Sequence, residues 1–157
     1  DLYSGLSDDL PEQAQFDLIV ANPPFVAAPV SPLRWPTLYV DGGPDGLGIT
    51  RRILHDAPQH LRPGGGCIIE GEFPNLVGTT PVANLTSKLQ LTAIFAHTHV
   101  QAAEEYAEYR AQPPLRPSDW SASLREHGVN NMTSGLLVGR RGRGVPVGPQ
   151  LVKHVTW

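Results

Sequence analysis

The stretch "FDLIVANPPFV", residues 16–26, is apolar almost throughout until an asparagine, two prolines and a phenylalanine cut it off. Its first six residues are too few for a helix, and the prolines forbid one from continuing. A short apolar run between turn signals reads as a strand buried on both faces of a parallel sheet. "GCIIEGEF", residues 66–73, is a second such run, entered through "LRPGGG", a helix exit and flexible turn. Between the two, residues 45–61 carry Leu47, Ile53, Leu54, Ala57 and Leu61 near a 3.6-residue period, with Pro58 late in the pattern. Strand, helix and strand in this order form a βαβ crossover, which implies a parallel sheet and an α/β fold.

Further along, residues 81–89 suit a short helix opening at Pro81. Residues 91–100 and 132–141 read as third and fourth strands. Between these strands, residues 101–131 form a helical insertion built from "AAEEYAEYR" and "SDWSASLREHG". The second helix is expected to start at a Ser118 cap and stop at Gly128. Residues 142–157 form a tail that adds an edge strand or packs over the sheet.

The 157 residues suit one domain; 40 % are apolar and 17 % charged, which excludes a disordered chain. The 16 Pro and 16 Gly fall at segment boundaries, as turns do. A formal charge of −3 gives no electropositive footprint for nucleic acid; "GRRGRG", residues 139–144, reads as a solvated strand end or tail. No run approaches the roughly 20 apolar residues of a membrane span, and no signal sequence opens the chain. With Cys67 as the one cysteine, a reducing, cytoplasmic setting is expected.

In an open parallel sheet, ligands bind beyond the carboxyl ends of the strands, where "NPPF" falls. The two prolines fix the backbone in a rigid, extended turn. Such a turn can hold the Asn22 side-chain oxygen and the Pro23 carbonyl as converging acceptors for the two hydrogens of an NH2 group. Phe25 then offers a flat surface to a planar substrate. The plainer reading is a stiff turn after a strand.

"FDLIVANPPF" resembles the strand and catalytic loop of class I S-adenosylmethionine-dependent N-methyltransferases, whose motif is Asp/Asn/Ser-Pro-Pro-Tyr/Phe/Trp. "DGGPDGLGITRRIL", residues 41–54, and "LRPGGGCIIEGE" resemble the segments that follow that loop in HemK-type glutamine methyltransferases. The resemblance implies that Asn22 and Pro23 are catalytic and bind the substrate NH2. Pro24 and Phe25 would line the substrate, and Asp1, Leu2 and Asn22 would touch S-adenosyl-L-methionine. Trp35, in the proline-rich loop just beyond the turn, either closes over the substrate or anchors that loop. It implies a protein glutamine as methyl acceptor ahead of an RNA base or a small-molecule amine. Phe25 stands where the glutamine-modifying group usually has Tyr.

The glycine-rich turn and acidic residue that hold the cofactor in this family have no counterpart here. Gly64–Gly66 follow a helix and precede a strand, the reverse of a cofactor loop. "DLYSGL", residues 1–6, resembles the loop after the family's third strand. The expectation is therefore the C-terminal half of a Rossmann-like class I methyltransferase sheet, residues 1–141. The missing N-terminal half would be its partner and the main holder of the cofactor. The alternative is a non-catalytic interaction module that keeps "NPPF" as a turn.

Other residues have plainer duties. His97 and His99 share a strand face but lack a third metal ligand, so no metal site is expected. Asp41 and Asp45 serve turns and helix caps, Tyr106 and Trp120 pack the core, and Cys67 is a small buried hydrophobe.

Overall fold

The computed structural model describes Tyr3 and residues 14–32, 38–75 and 91–142, with the backbone alone for 91–99. Strand β1 spans Phe16–Ala21, where the sequence puts it. Two short strands follow the Asn-Pro-Pro-Phe turn, β2 (Val26–Ala27) and β3 (Asp41–Gly43). Helix α1 covers Gly48–His60 and leads into β4, Leu61–Pro74. β5 runs over Leu91–Ala102 and is followed by α2 (Ala103–Arg110) and α3 (Pro117–Glu126). β6 closes the described part at Asn131–Arg141.

The four longer strands form one sheet in the order β1-β4-β6-β5. β1 and β4 pair parallel across α1, the expected crossover. The sheet as a whole is mixed, however, because β6 runs antiparallel to both β4 and β5. The cause is the connection: Ala102 pairs with Asn131, so the chain leaves β5 and re-enters β6 at the same end. Only α2, α3 and their turns lie between.

The periodic residues of α1 do what their spacing demands. Ile53, Leu54 and Ala57 are buried against Cys67, Ile69, Phe73 and Leu137 of the sheet, with Leu47 and Leu61 at the two ends. Each large aliphatic side chain buried this way contributes about 1.5–3 kcal/mol. Pro58 sits inside the helix, which ends two residues later at His60. Cys67 is the expected buried hydrophobe, and burial pushes its thiol up to about 11.

Four expectations need correction. β1 is not buried on both faces: Leu18 is 52 % and Val20 68 % exposed, because α1 covers only the Ile19 and Ala21 side. "LRPGGG" is not a free turn but the opening of β4. Phe16 pairs with Leu61 and Leu18 with Gly66, so residues 62–65 bulge out of the ladder, with Gly64 at φ 84°. Arg140 and Arg141 are not simply solvated. Arg140 Nε donates to the Gly64 carbonyl at 2.9 Å and Arg141 to the Leu61 carbonyl, tying β6 to that bulge. Finally, α3 starts after Arg116, not at Ser118, because Pro117 suits the first helical position and Asp119 accepts the Arg116 N–H at 3.0 Å. Its expected stop holds, with Gly128 at φ 71°.

The 81–89 helix, the tail, Asp1, Leu2 and Trp35 lie outside the described residues, as do the His97 and His99 side chains. The backbone between those histidines carries a bulge. Among the described residues, no group of three or more His, Cys, Asp or Glu gathers to hold a metal, and no helix is long and apolar enough to cross a membrane.

Candidate active site

The Asn-Pro-Pro-Phe turn leaves β1 at its carboxyl end. Asn22 is exposed, Pro23 is buried, and Pro24 and Phe25 are half-buried. The turn therefore presents its amide to solvent while its backbone is held from below. What holds it is the segment that follows, which sequence reasoning missed because two- and three-residue strands leave no periodic signal.

β2 is tied on one side to β3. The Val26 N–H donates to the Val40 carbonyl at 2.9 Å and the Ala28 N–H to the Gly43 carbonyl at 3.0 Å. The glycines of "DGGPDG" make that approach possible. A Cβ on Gly42 would lie 2.8 Å from the Phe25 Cα, and one on Gly46 would lie 2.4 Å from the Phe25 carbonyl oxygen. Below Phe25 lies Gly71 of β4, where a Cβ would touch the Phe25 Cβ at 3.5 Å.

In a strand, successive residues point their backbone groups to opposite sides. The intervening Ala27 therefore faces away from β3, toward the inserted helices. Its N–H donates to the Tyr106 hydroxyl at 3.1 Å and its carbonyl accepts from Trp120 Nε1 at 2.9 Å. Tyr106 and Trp120 are fully buried, as expected of core residues, and pack with Val26, Ala28, Ala103, Leu124 and Met132. They also supply hydrogen bonds that a neighbouring strand would otherwise have made.

The Tyr106 hydroxyl donates in turn to Glu72 Oε2 at 2.8 Å. Glu72, at the end of β4, is only 6 % exposed, and its other oxygen accepts from Arg110 Nη2 at 2.5 Å. A carboxylate removed from water needs such partners to stay ionised at acceptable cost. Burial, then the facing Glu72 charge, holds the Tyr106 phenol far above its usual range, so it stays a donor.

Asp45 takes the helix-entry duty read for it. Its carboxylate accepts the Leu47 N–H at 3.0 Å and pairs with Arg51. Burial alone would raise its pKa, but the Arg51 and Leu47 bonds outweigh that and hold it below the usual range. Asp41 belongs to β3. Tyr3 rests on α1, its ring stacked on His60 at 4.4 Å.

No family model matches the chain. A 76-residue stretch is 46 % identical to the ribosomal protein uL3 glutamine methyltransferase of Bradyrhizobium diazoefficiens, covering 45 % of this chain and 22 % of that protein. The release factor glutamine methyltransferase of Gloeobacter violaceus is 40 % identical over 78 residues, covering 43 % of this chain and 27 % of its own length. This stretch is related to the glutamine methyltransferases. The expected HemK-like kinship is met over that length, and the chain spans about a quarter of these relatives, 22 % and 27 %. Among solved structures, StiE O-MT superposes with a TM-score of 0.40 and 14 % identity, covering 88 % of this chain and 48 % of that one.

Proposed function

We propose that the chain carries the acceptor side of an S-adenosylmethionine-dependent N-methyltransferase, with the side-chain amide of a protein glutamine as the group modified. The observation that carries this reading is an exposed Asn22 on a backbone-locked turn at the carboxyl end of β1. Relatedness to enzymes named for uL3 and release-factor glutamines supports the choice of acceptor. Such an acceptor would put the protein in the cytoplasm.

Asn22 Oδ1 and the Pro23 carbonyl would accept the two amide hydrogens, and Phe25 would lie against the flat amide. That grip leaves the nitrogen lone pair as the face free to react. Orientation of this kind is worth on the order of 7–11 kcal/mol at best. No general base is needed, since a nitrogen made cationic by the new bond loses its proton readily.

Of the residues assigned to the cofactor, Asn22 is described, and its accessible amide suits a polar ligand at that edge. Bound S-adenosylmethionine would supply an electrophilic methyl carbon. Its principal holders would belong to a separate cofactor-binding part, docked on the face of β1 that exposes Leu18 and Val20.

The test is calorimetric titration of S-adenosylmethionine into this chain and into one extended upstream, followed by methyl transfer to a glutamine peptide. Binding to the extended chain alone, with transfer, is expected. Asn22→Ala should then cut transfer by about a hundredfold or more while cofactor affinity stays nearly intact. Binding to neither chain leaves the interaction module as the better reading.

A further inference from the structure

We infer that Tyr106 and Trp120, backed by Glu72 and Arg110, are positioning residues that set the attitude of the Asn22–Phe25 turn through both backbone groups of Ala27. The inference rests on the reading of that turn as the acceptor site and adds to it a role for the inserted helices. Ala27 lies two residues beyond Phe25, and its N–H and carbonyl are both taken by side chains from α2 and α3.

Two distant parts of the chain meet here. The Ala27 bonds span 79 and 93 residues of sequence, and the Tyr106–Glu72 bond spans 34. The hydroxyl is both acceptor and donor, so Ala27 N–H, Tyr106 O–H and the Glu72 carboxylate form one chain of bonds that polarise each other. Arg110 fixes the far end of that chain and lies 5.7 Å over the Tyr106 ring. On the opposite side, β3 and the glycines of residues 42–46 leave the backbone no room to move away. The turn is thereby gripped from two sides, and α2 and α3 are as much a part of the acceptor framework as the sheet.

The experiment compares full-length wild type with Tyr106→Phe, Trp120→Phe and, as a control, Tyr109→Phe, which removes an exposed hydroxyl and keeps the ring that lies 5.0 Å from the Arg110 guanidinium. Amide exchange at Ala27 and the Asn22 side-chain NH2 resonances are read by NMR, with exchange at Leu137 reporting global opening. Methyl transfer to a glutamine peptide is read as separate kcat and KM.

Tyr106→Phe should speed Ala27 exchange by about tenfold or more, because a buried N–H loses its acceptor. It should shift the Asn22 resonances and leave Leu137 alone. Turnover should fall about tenfold or more, with KM and cofactor affinity within about twofold. Trp120→Phe should act in the same direction and Tyr109→Phe should change nothing. Unchanged Ala27 exchange, unchanged Asn22 resonances, or Leu137 exchange rising in step would overturn the inference. So would faster Ala27 exchange with undiminished kcat. A wild type that transfers no methyl sinks the proposed function instead, and the NMR readings still decide the grip on Ala27.

Discussion

A methyl group on Gly46 would sit 2.4 Å from the Phe25 carbonyl oxygen and 3.3 Å from the Ala27 nitrogen, on a backbone with φ of 78°. Both the clash and the left-handed conformation oppose a side chain. Gly46→Ala should therefore cost about 2 kcal/mol or more in a denaturant titration and should displace Phe25. Asp45, one residue before, gives a pH signature. Its pKa is depressed in the folded state, so its contribution is present above the unfolded value of 3.8 and is lost as pH falls below that. The ion pair with Arg51 is half in solvent, so only about 0.5–1 kcal/mol is at stake. Asp45→Asn should be less stable than wild type near neutrality and should converge with it in acid. At this scale the sequence was informative but one-sided. "DGGPDG" announced a turn and a helix entry, while nothing in it could say that Phe25 would be the neighbour pressing on its glycines.

Elements with a strong period or a sharp end are legible in the sequence. β1 matches its expected bounds, α1 buries its periodic residues, and Gly128 ends α3 in the left-handed region. Boundaries set by non-local bonds are not. β4 begins at Leu61 because Arg140 and Arg141 reach across 76 and 80 residues to hold the bulge, a contact invisible to any local window. The start of α3 was misplaced for a local reason, two competing caps side by side. Asp119 bonds the Arg116 backbone N–H at 3.0 Å, whereas the Ser118 carbonyl serves the Ser121 hydroxyl at 3.2 Å. Asp119→Ala should accordingly lower the melting temperature more than Ser118→Ala does; equal effects would restore Ser118 as the cap. β2 and β3 escaped altogether, and with them the framework around Asn22, since their evidence lies in pairing rather than in composition.

Among the described residues, the sheet divides into a packed face and a more exposed one. Ile19, Ala21, Cys67, Ile69 and Leu137 meet α1 or its core. On the reverse side, Val20 pairs with Ile68 and Ile68 with Val138, an apolar row across three strands, with Leu18 beside Gly66 and Leu136 beside the charged Glu70. Leu18, Val20 and Leu136 on this face are exposed at 52 %, 68 % and 37 %. The alternation needed to expect a one-sided strand was absent from "FDLIVA", whose apolar run fits two buried faces better. That run makes sense if a further segment or a partner covers the second face. Val20→Thr paired with Leu18→Thr tests this. In the isolated chain the substitutions should leave the melting temperature nearly unchanged and reduce self-association by light scattering. In the upstream-extended protein they should destabilise by about 1 kcal/mol per side chain, the cost of losing half or more of an aliphatic burial. Equal, negligible effects in both proteins would mean that this face stays in water and that the cofactor-binding part docks elsewhere.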